Sequence, residues 1–172
     1  MTEPLAYDDG GISSVGDVNS TAIGSGARYN GGKVPLELIP FRILSITSKD
    51  VDVKYCFVLL DKYQFSGETR YLSALLNQLS SHMDEAAWVF DYGKRKYAEW
   101  NWLKGMAWSI PLACIGRHLQ KIDSGELTDI ESGRSHWGHI ICNLIMLITY
   151  AEVYPQGNDL PKKPERIADD PK

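Results

Sequence analysis

From Leu36 to Tyr154 the apolar residues recur mostly at helical spacing, in three regions separated by polar stretches. The first runs from about Leu36 to Phe90. Inside it Thr69–Ser80 places Leu72, Leu75, Leu76 and Leu79 on one helical face, and Asp84–Tyr92 continues in helical style to Gly93. Val51–Asp61 is ambiguous, because its run of Val, Tyr, Phe and Leu suits a strand as well as a helix. The second region is Ser109–Ile122. Ser109 is the expected N-cap, Pro111 is tolerated in the first turn, and Leu112, Ile115, Leu119 and Ile122 form the apolar face. The third is about Ser135–Tyr154, with Ile140, Ile141, Leu144, Ile145 and Ile148 as core and Pro155 as the stop. A polar connection, Asp123–Arg134, joins the last two. The pattern predicts a mostly α fold, a compact helical bundle with disordered N- and C-terminal tails.

Composition sharpens the ends. Residues 1–25 are rich in Gly, Ser and Asp, so this acidic segment is read as a flexible tail. Residues 155–172, with four prolines among charges, are read as a second tail. A single helical domain is left at 26–154. The formal net charge is −4, and Glu3, Asp8, Asp9 and Asp17 account for it, since residues 28–154 are neutral overall. That balance argues against wrapping duplex nucleic acid. A local basic pocket for a small anion stays open. The three cysteines, Cys56, Cys114 and Cys142, sit in apolar stretches and read as small buried hydrophobes. The start, MTEPLAYDDGG, has no basic n-region or apolar h-region, and the longest apolar run falls short of the ~20 residues of a membrane span. A cytoplasmic protein with no membrane partner is expected.

Three stretches carry candidate chemistry. The connection holds Asp123, Glu126, Asp129 and Glu131, hard oxygen donors suited to Mg²⁺ or Mn²⁺. Alone, it reads more simply as a solvated acidic loop. The helix that follows adds His136, His139 and Asn143 at i, i+3 and i+7, and His118 lies late in the preceding helix. These histidines can serve as metal ligands, proton donors or phosphate contacts. A second stretch, YGKRKYAEWNWLKG, interleaves Lys94 and Lys96 with Tyr97, Asn101 and Trp102. It suits phosphate on a cation and a base against a ring. The third, GARYNGGK at residues 26–33, brings Arg28, Tyr29, Asn30 and Lys33, but fails the GxxxxGK[ST] phosphate-loop pattern at both ends.

Together GARYNGGKVPLELIP, VFDYGKRKYAEWNW and RHLQKIDSGELTDIESGRSHWGHIICNLIML resemble the phage family of dATP/dGTP diphosphohydrolases, N-terminal domain. The last block is the most specific, with Arg117, His118, Gly125, Glu126, Asp129, Glu131, Ser132, Gly133, His136, His139 and Asn143 in place. The resemblance implies an α-helical, phage-encoded protein in the host cytoplasm. It implies hydrolysis of a purine deoxynucleoside triphosphate to monophosphate and pyrophosphate, with Mg²⁺ or Mn²⁺. The candidate catalytic residues are Glu126, Asp129, Glu131 and His136, and the candidate metal ligands are these four with His139. The candidate nucleotide contacts are Arg28, Tyr29, Asn30, Lys33, Lys94, Lys96, Tyr97, Asn101, Trp102, Arg117, His118 and Asn143.

The sequence departs from that pattern twice. Residues 45–86 exceed the family segment, an insertion suited to covering the pocket, building an interface or altering specificity. An ExxE…ExxD pair of the MazG-like pyrophosphohydrolases is not evident. The alternative is a nucleotide-binding protein without turnover, a sponge for a host nucleotide signal. The Leu-rich Tyr71–Leu79 and five tryptophans exceed an obvious single core, so a homo-oligomer is expected.

Overall fold

Asp50 decides the fold of the ambiguous segment. Its carboxylate accepts from the amides of Asp52 and Val53, both at 2.9 Å, satisfying two of the unpaired donors of a helix start. Val51–Gln64 is therefore a helix in the computed structural model, which describes residues 14–162. Its stripe of Val53, Cys56, Phe57, Leu60 and Tyr63 is buried.

Among the described residues there are six α-helices: α1 Phe41–Thr47, α2 Val51–Gln64, α3 Thr69–Gln78, α4 Met83–Lys96, α5 Ser109–Asp123 and α6 His136–Val153. The mostly α bundle expected from the spacing is what forms. Helix α6 is its axis, packed against α3, α4 and α5. Its apolar positions are buried nearly all round, which a central helix requires. Ser135 caps it, accepting from the Trp137 amide at 3.2 Å. Gly138 lets α4 approach, since a Cβ there would lie 2.9 Å from the backbone carbon and oxygen of Glu85. The buried Gln64 amide ties the entry to α1 onto α2, bonding the Phe41 N–H and the carbonyls of Glu37 and Ile39.

Several expectations change in detail. Ser109 is the first residue of α5 and not its cap. Its amide and hydroxyl both donate to Asp159, so the cap comes from downstream in the chain. Of the segment read as a tail, residues 1–13 lie outside the described residues. Residues 16–25 pack against a 3-10 turn at Asn101–Lys104. Gly24 and Gly26 donate to the carbonyls of Lys104 and Gly105, and the Lys104 ammonium donates to the carbonyls of Asp17 and Ser20. Likewise residues 155–160 are in place: Trp108 donates to Tyr154 and Gly157 carbonyls, and Leu160 packs on the core. The residues from 163 lie outside the described ones.

The Leu-rich stretch needs no partner chain to be buried, because Leu72, Leu75 and Leu79 lie in this chain's own core. Among the tryptophans, Trp88 and Trp100 stay exposed, at 51% and 63%. No helix among the described residues is long and apolar enough to cross a membrane.

Candidate functional site

A cleft of about 750 Å³ lies between the C-terminal half of α4, the middle of α5 and the N-terminal half of α6. None of residues 45–86 lines it, so the expected insertion packs on the bundle and does not cover the pocket.

The floor is cationic. A two-residue antiparallel ladder, β1 Ser14–Val15 with β2 Arg28–Tyr29, delivers Arg28 to the bundle. Its register is locked next door by Asn101, whose amide accepts from the Ala27 N–H at 3.0 Å and donates to the Ala27 carbonyl at 2.9 Å. The Arg28 guanidinium donates to Asn143 Oδ1 at 2.6 Å and to Cys114 Sγ at 3.0 Å. Asn143 is itself fixed by donating to the His139 carbonyl one turn earlier. Arg117 reaches the same sulfur at 3.0 Å and also donates to Asn30 Oδ1 and the Val34 carbonyl. Among the described residues neither guanidinium forms an ion pair with a carboxylate. Burial pushes the Cys114 thiol up, but the two guanidiniums outweigh it and hold the thiol below its ordinary value. Burial lowers Lys33, the third floor cation.

One wall carries imidazoles. His118 Nδ1 and His136 Nδ1 are 2.7 Å apart, and His136 Nε2 meets Glu126 Oε1 at 3.0 Å. With an Nε2–H donating to Glu126, His136 Nδ1 is free to accept from His118 Nδ1–H. His139 stacks on His118 with centroids 4.4 Å apart; its Nε2 meets Ser132 Oγ at 2.6 Å and lies 3.5 Å from Asp129 Oδ2. Asp129 is braced by the Ser132 amide. Burial, then the neighbouring imidazoles, hold His118 well below its ordinary value, and burial chiefly brings His139 down to about 4. Both are neutral at pH 7, so both offer lone pairs.

The opposite rim pairs Lys96 with Glu131, which also accepts from Tyr92 at 3.0 Å. Glu131 is held below the usual carboxylate range by the Lys96 bond first and the Tyr92 hydroxyl next. The far end is aromatic and apolar: Phe90, Trp100, Trp102, Met106, Ile145 and Met146. The Trp102 and Phe90 rings meet at a tilt of 35°, with centroids 5.3 Å apart. Trp100 stands at the mouth on a left-handed backbone, φ 57°, a conformation that is uncommon off glycine and concentrates at functional sites.

The candidate residues thus separate by position. Arg28, Lys33, Lys94, Lys96, Tyr97, Trp102, Arg117, His118, Asp129, Glu131, His136, His139 and Asn143 line the cleft. Asn101 touches it, but both ends of its side chain are engaged by Ala27, which makes it a structural lock. Tyr29 and Asn30 lie behind the lining. The Tyr29 amide donates to the Tyr97 hydroxyl, and Asn30 steadies Arg117. Glu126 also sits behind, on His136 and Lys121. Lys94 at the mouth pairs with Glu99 at 3.6 Å. Sequence reasoning overlooked Cys114, read as a plain core residue; its place one helical turn before Arg117 is the signal that locates it. Tyr92 was overlooked too, because it acts through Glu131, far away in sequence; Ser132 stands in the matching block but was given no role there, although its partners Asp129 and His139 are close by in sequence.

The model of the family dATP/dGTP diphosphohydrolase, N-terminal, matches residues 64–160. No curated protein and no solved structure matches the chain. The family match spans more than half of the sequence and takes in both the imidazole wall and the aromatic end of the cleft. The chain belongs to the dATP/dGTP diphosphohydrolase N-terminal-domain family.

Proposed function

We propose that the cleft binds a purine deoxynucleoside triphosphate and, with a divalent cation, hydrolyses it to the monophosphate and pyrophosphate. The observation that carries this reading is the floor: two guanidiniums that pair with sulfur, amides and carbonyls but with no carboxylate. A partly buried cation without a carboxylate counter-ion is costly, and an anionic ligand offsets that cost. A triphosphate fits this demand. Arg28, Arg117 and Lys33 face its phosphates, and the aromatic end takes the base against Trp102 and Phe90. The family's name supplies the purine and the deoxyribose as expectations.

Hydrolysis adds water at the α-phosphorus and breaks its bond to the bridging oxygen, so pyrophosphate leaves. A divalent ion, when bound, neutralises phosphate charge and makes water more acidic. The imidazole and carboxylate wall suits such an ion. The chain's own residues do the rest. The guanidiniums hold the phosphates in line, and the Lys96 ammonium follows negative charge onto the leaving group. His139, neutral at pH 7, accepts a proton from the attacking water.

One observation favours binding without turnover. Glu126 and Glu131 are each engaged by His136 or Lys96, which leaves Asp129 as the least committed carboxylate on the wall. Incubation of the purified protein with dATP, dGTP, dCTP and dTTP in Mn²⁺, followed by anion-exchange analysis, decides between the two. Deoxynucleoside monophosphate and pyrophosphate in equal amounts, stopped by EDTA, are expected. Recovery of intact triphosphate from a tight complex refutes hydrolysis and leaves the binding protein.

A further inference from the structure

We infer that His118 of α5, His136 of α6 and Asp129 of the connecting loop together hold one divalent transition-metal ion, of the Mn²⁺, Co²⁺, Ni²⁺ or Zn²⁺ type, in preference to Mg²⁺. The inference rests on the reading above only in placing the ion in the same cleft. Of the metal set expected from the sequence, Glu126, Asp129, Glu131, His136 and His139, it keeps Asp129 and His136 and adds His118.

Geometry is the first argument. One donor atom from each of the three residues lies within 4.8 Å of the other two. The two Nδ1 atoms are 2.7 Å apart, so the rings need to part by only ~0.6 Å to reach the ~3.3 Å between tetrahedral ligands bound at ~2.0–2.1 Å from one ion. In the free protein that short approach needs a shared proton. A cation entering there takes both Nδ1 lone pairs, and the His118 proton is then carried on its own Nε2.

The surroundings give the second argument. His136 is buried, and its far nitrogen faces Glu126 at 3.0 Å. A carboxylate behind a ligating imidazole fixes the tautomer and strengthens the donor, the usual outer partner of a histidine–metal bond. Asp129 is likewise set by the Ser132 amide at 2.9 Å. Two of the donors project from facing helices and the third from a braced loop, so little ordering is left for binding to supply.

Donor chemistry settles the class of ion. Mg²⁺ takes oxygen ligands and keeps its waters, whereas imidazole suits later divalent metals. Three protein donors leave positions open toward the cleft, the arrangement of a reactive rather than a purely structural site. Glu131 is outside the set, held across the cleft by Lys96 and Tyr92.

The test uses the untagged full chain stripped with EDTA, and reads metal binding directly. Calorimetric titration with CoCl2, MnCl2, ZnCl2 and MgCl2 is expected to give one saturable site for the transition metals. Mg²⁺ should bind at least ~10-fold more weakly. Bound Co²⁺ should show a visible absorption band shifted from that of the aqueous ion. His118→Ala and the isosteric Asp129→Asn should each weaken Co²⁺ by at least ~10-fold, and Glu126→Gln by ~10-fold as a positioning residue. His82→Ala, the histidine outside the cleft, should change nothing. Circular dichroism in EDTA checks that each variant is folded, and Asp129→Asn keeps the test valid should His118→Ala misfold. Unaltered Co²⁺ affinity in folded Asp129→Asn, or Mg²⁺ binding as tight as Co²⁺, overturns the inference. A protein that binds Co²⁺ through these residues yet leaves dGTP intact confirms the site and refutes only the hydrolysis. Mg²⁺-supported hydrolysis untouched by Asp129→Asn does the reverse.

Discussion

Asn101→Ala separates a structural role from a ligand role at one position. The Asn101 side chain bonds the Ala27 amide at 3.0 Å and the Ala27 carbonyl at 2.9 Å, and the residue is buried. Truncation removes both bonds and leaves a backbone donor and acceptor without their partner. An unsatisfied buried group costs ~1–3 kcal/mol, so two such groups set an upper range near ~6 kcal/mol. Water entering from the adjoining cleft recovers part of that, giving an expected loss of ~2–4 kcal/mol. Urea unfolding followed by tryptophan fluorescence measures it, with the slope unchanged if only stability has moved. Asn101→Asp should cost at least as much, because it keeps the bond to the Ala27 N–H but sets a buried carboxylate oxygen against the Ala27 carbonyl. Arg28 follows Ala27 directly, so nucleotide affinity should fall along with stability. A folded Asn101→Ala protein within ~0.5 kcal/mol of wild type refutes the lock. If it has also lost nucleotide affinity, Asn101 contacts the ligand after all.

Three further predictions follow from the same geometry. Arg28→Met should lower nucleotide affinity at least ~10-fold and cost the free protein no more than ~1–3 kcal/mol, the loss expected from leaving the buried Asn143 Oδ1 without its donor. Equilibrium dialysis with a labelled triphosphate reads the first and urea unfolding the second, and unchanged affinity refutes the anion floor. Gly138→Ala should cost ~1–3 kcal/mol, because its Cβ meets the Glu85 backbone at 2.9 Å and α4 has to move; an unshifted melting temperature contradicts that close approach. The metal-free protein should lose stability as pH falls from about 6.5 to about 4. Burial holds His139 down at about 4, so in that window the unfolded chain takes up a proton that the native state refuses. The effect is ~2 kcal/mol at pH 5 from His139 alone, and His118 adds in the same direction. Equal urea midpoints at pH 7.5 and pH 5 in EDTA contradict the buried neutral imidazoles.

The helices of the bundle were legible because helix formation is largely local. Leu112, Ile115, Leu119 and Ile122 repeat at the period that buries one face of α5, and Ser135 caps α6 from the adjacent position. Val51–Gln64 was not legible, since an apolar run suits either state and the Asp50 cap is a single side-chain orientation. Ser109 misled for a related reason. A serine before an apolar stripe resembles a cap, but Asp159, fifty residues on, supplies the bonds.

The sequence alone determined which chemistry is present: paired histidines and carboxylates beside one loop, lysines among aromatics, and an arginine in a glycine-rich stretch. It also determined the family, because those residues stand in a fixed order. How they are shared out follows from the packing of the helices. It turned Asn101 inward onto Ala27, set Cys114 between two guanidiniums, gave Glu131 to Lys96 and Glu126 to His136, and left His118, Asp129 and His136 facing one another. The reason is physical. Charge pairing and hydrogen bonding depend on distances of about 3 Å between side chains far apart in the chain. Spacing along a helix says which face a residue is on, and packing alone says what that face meets.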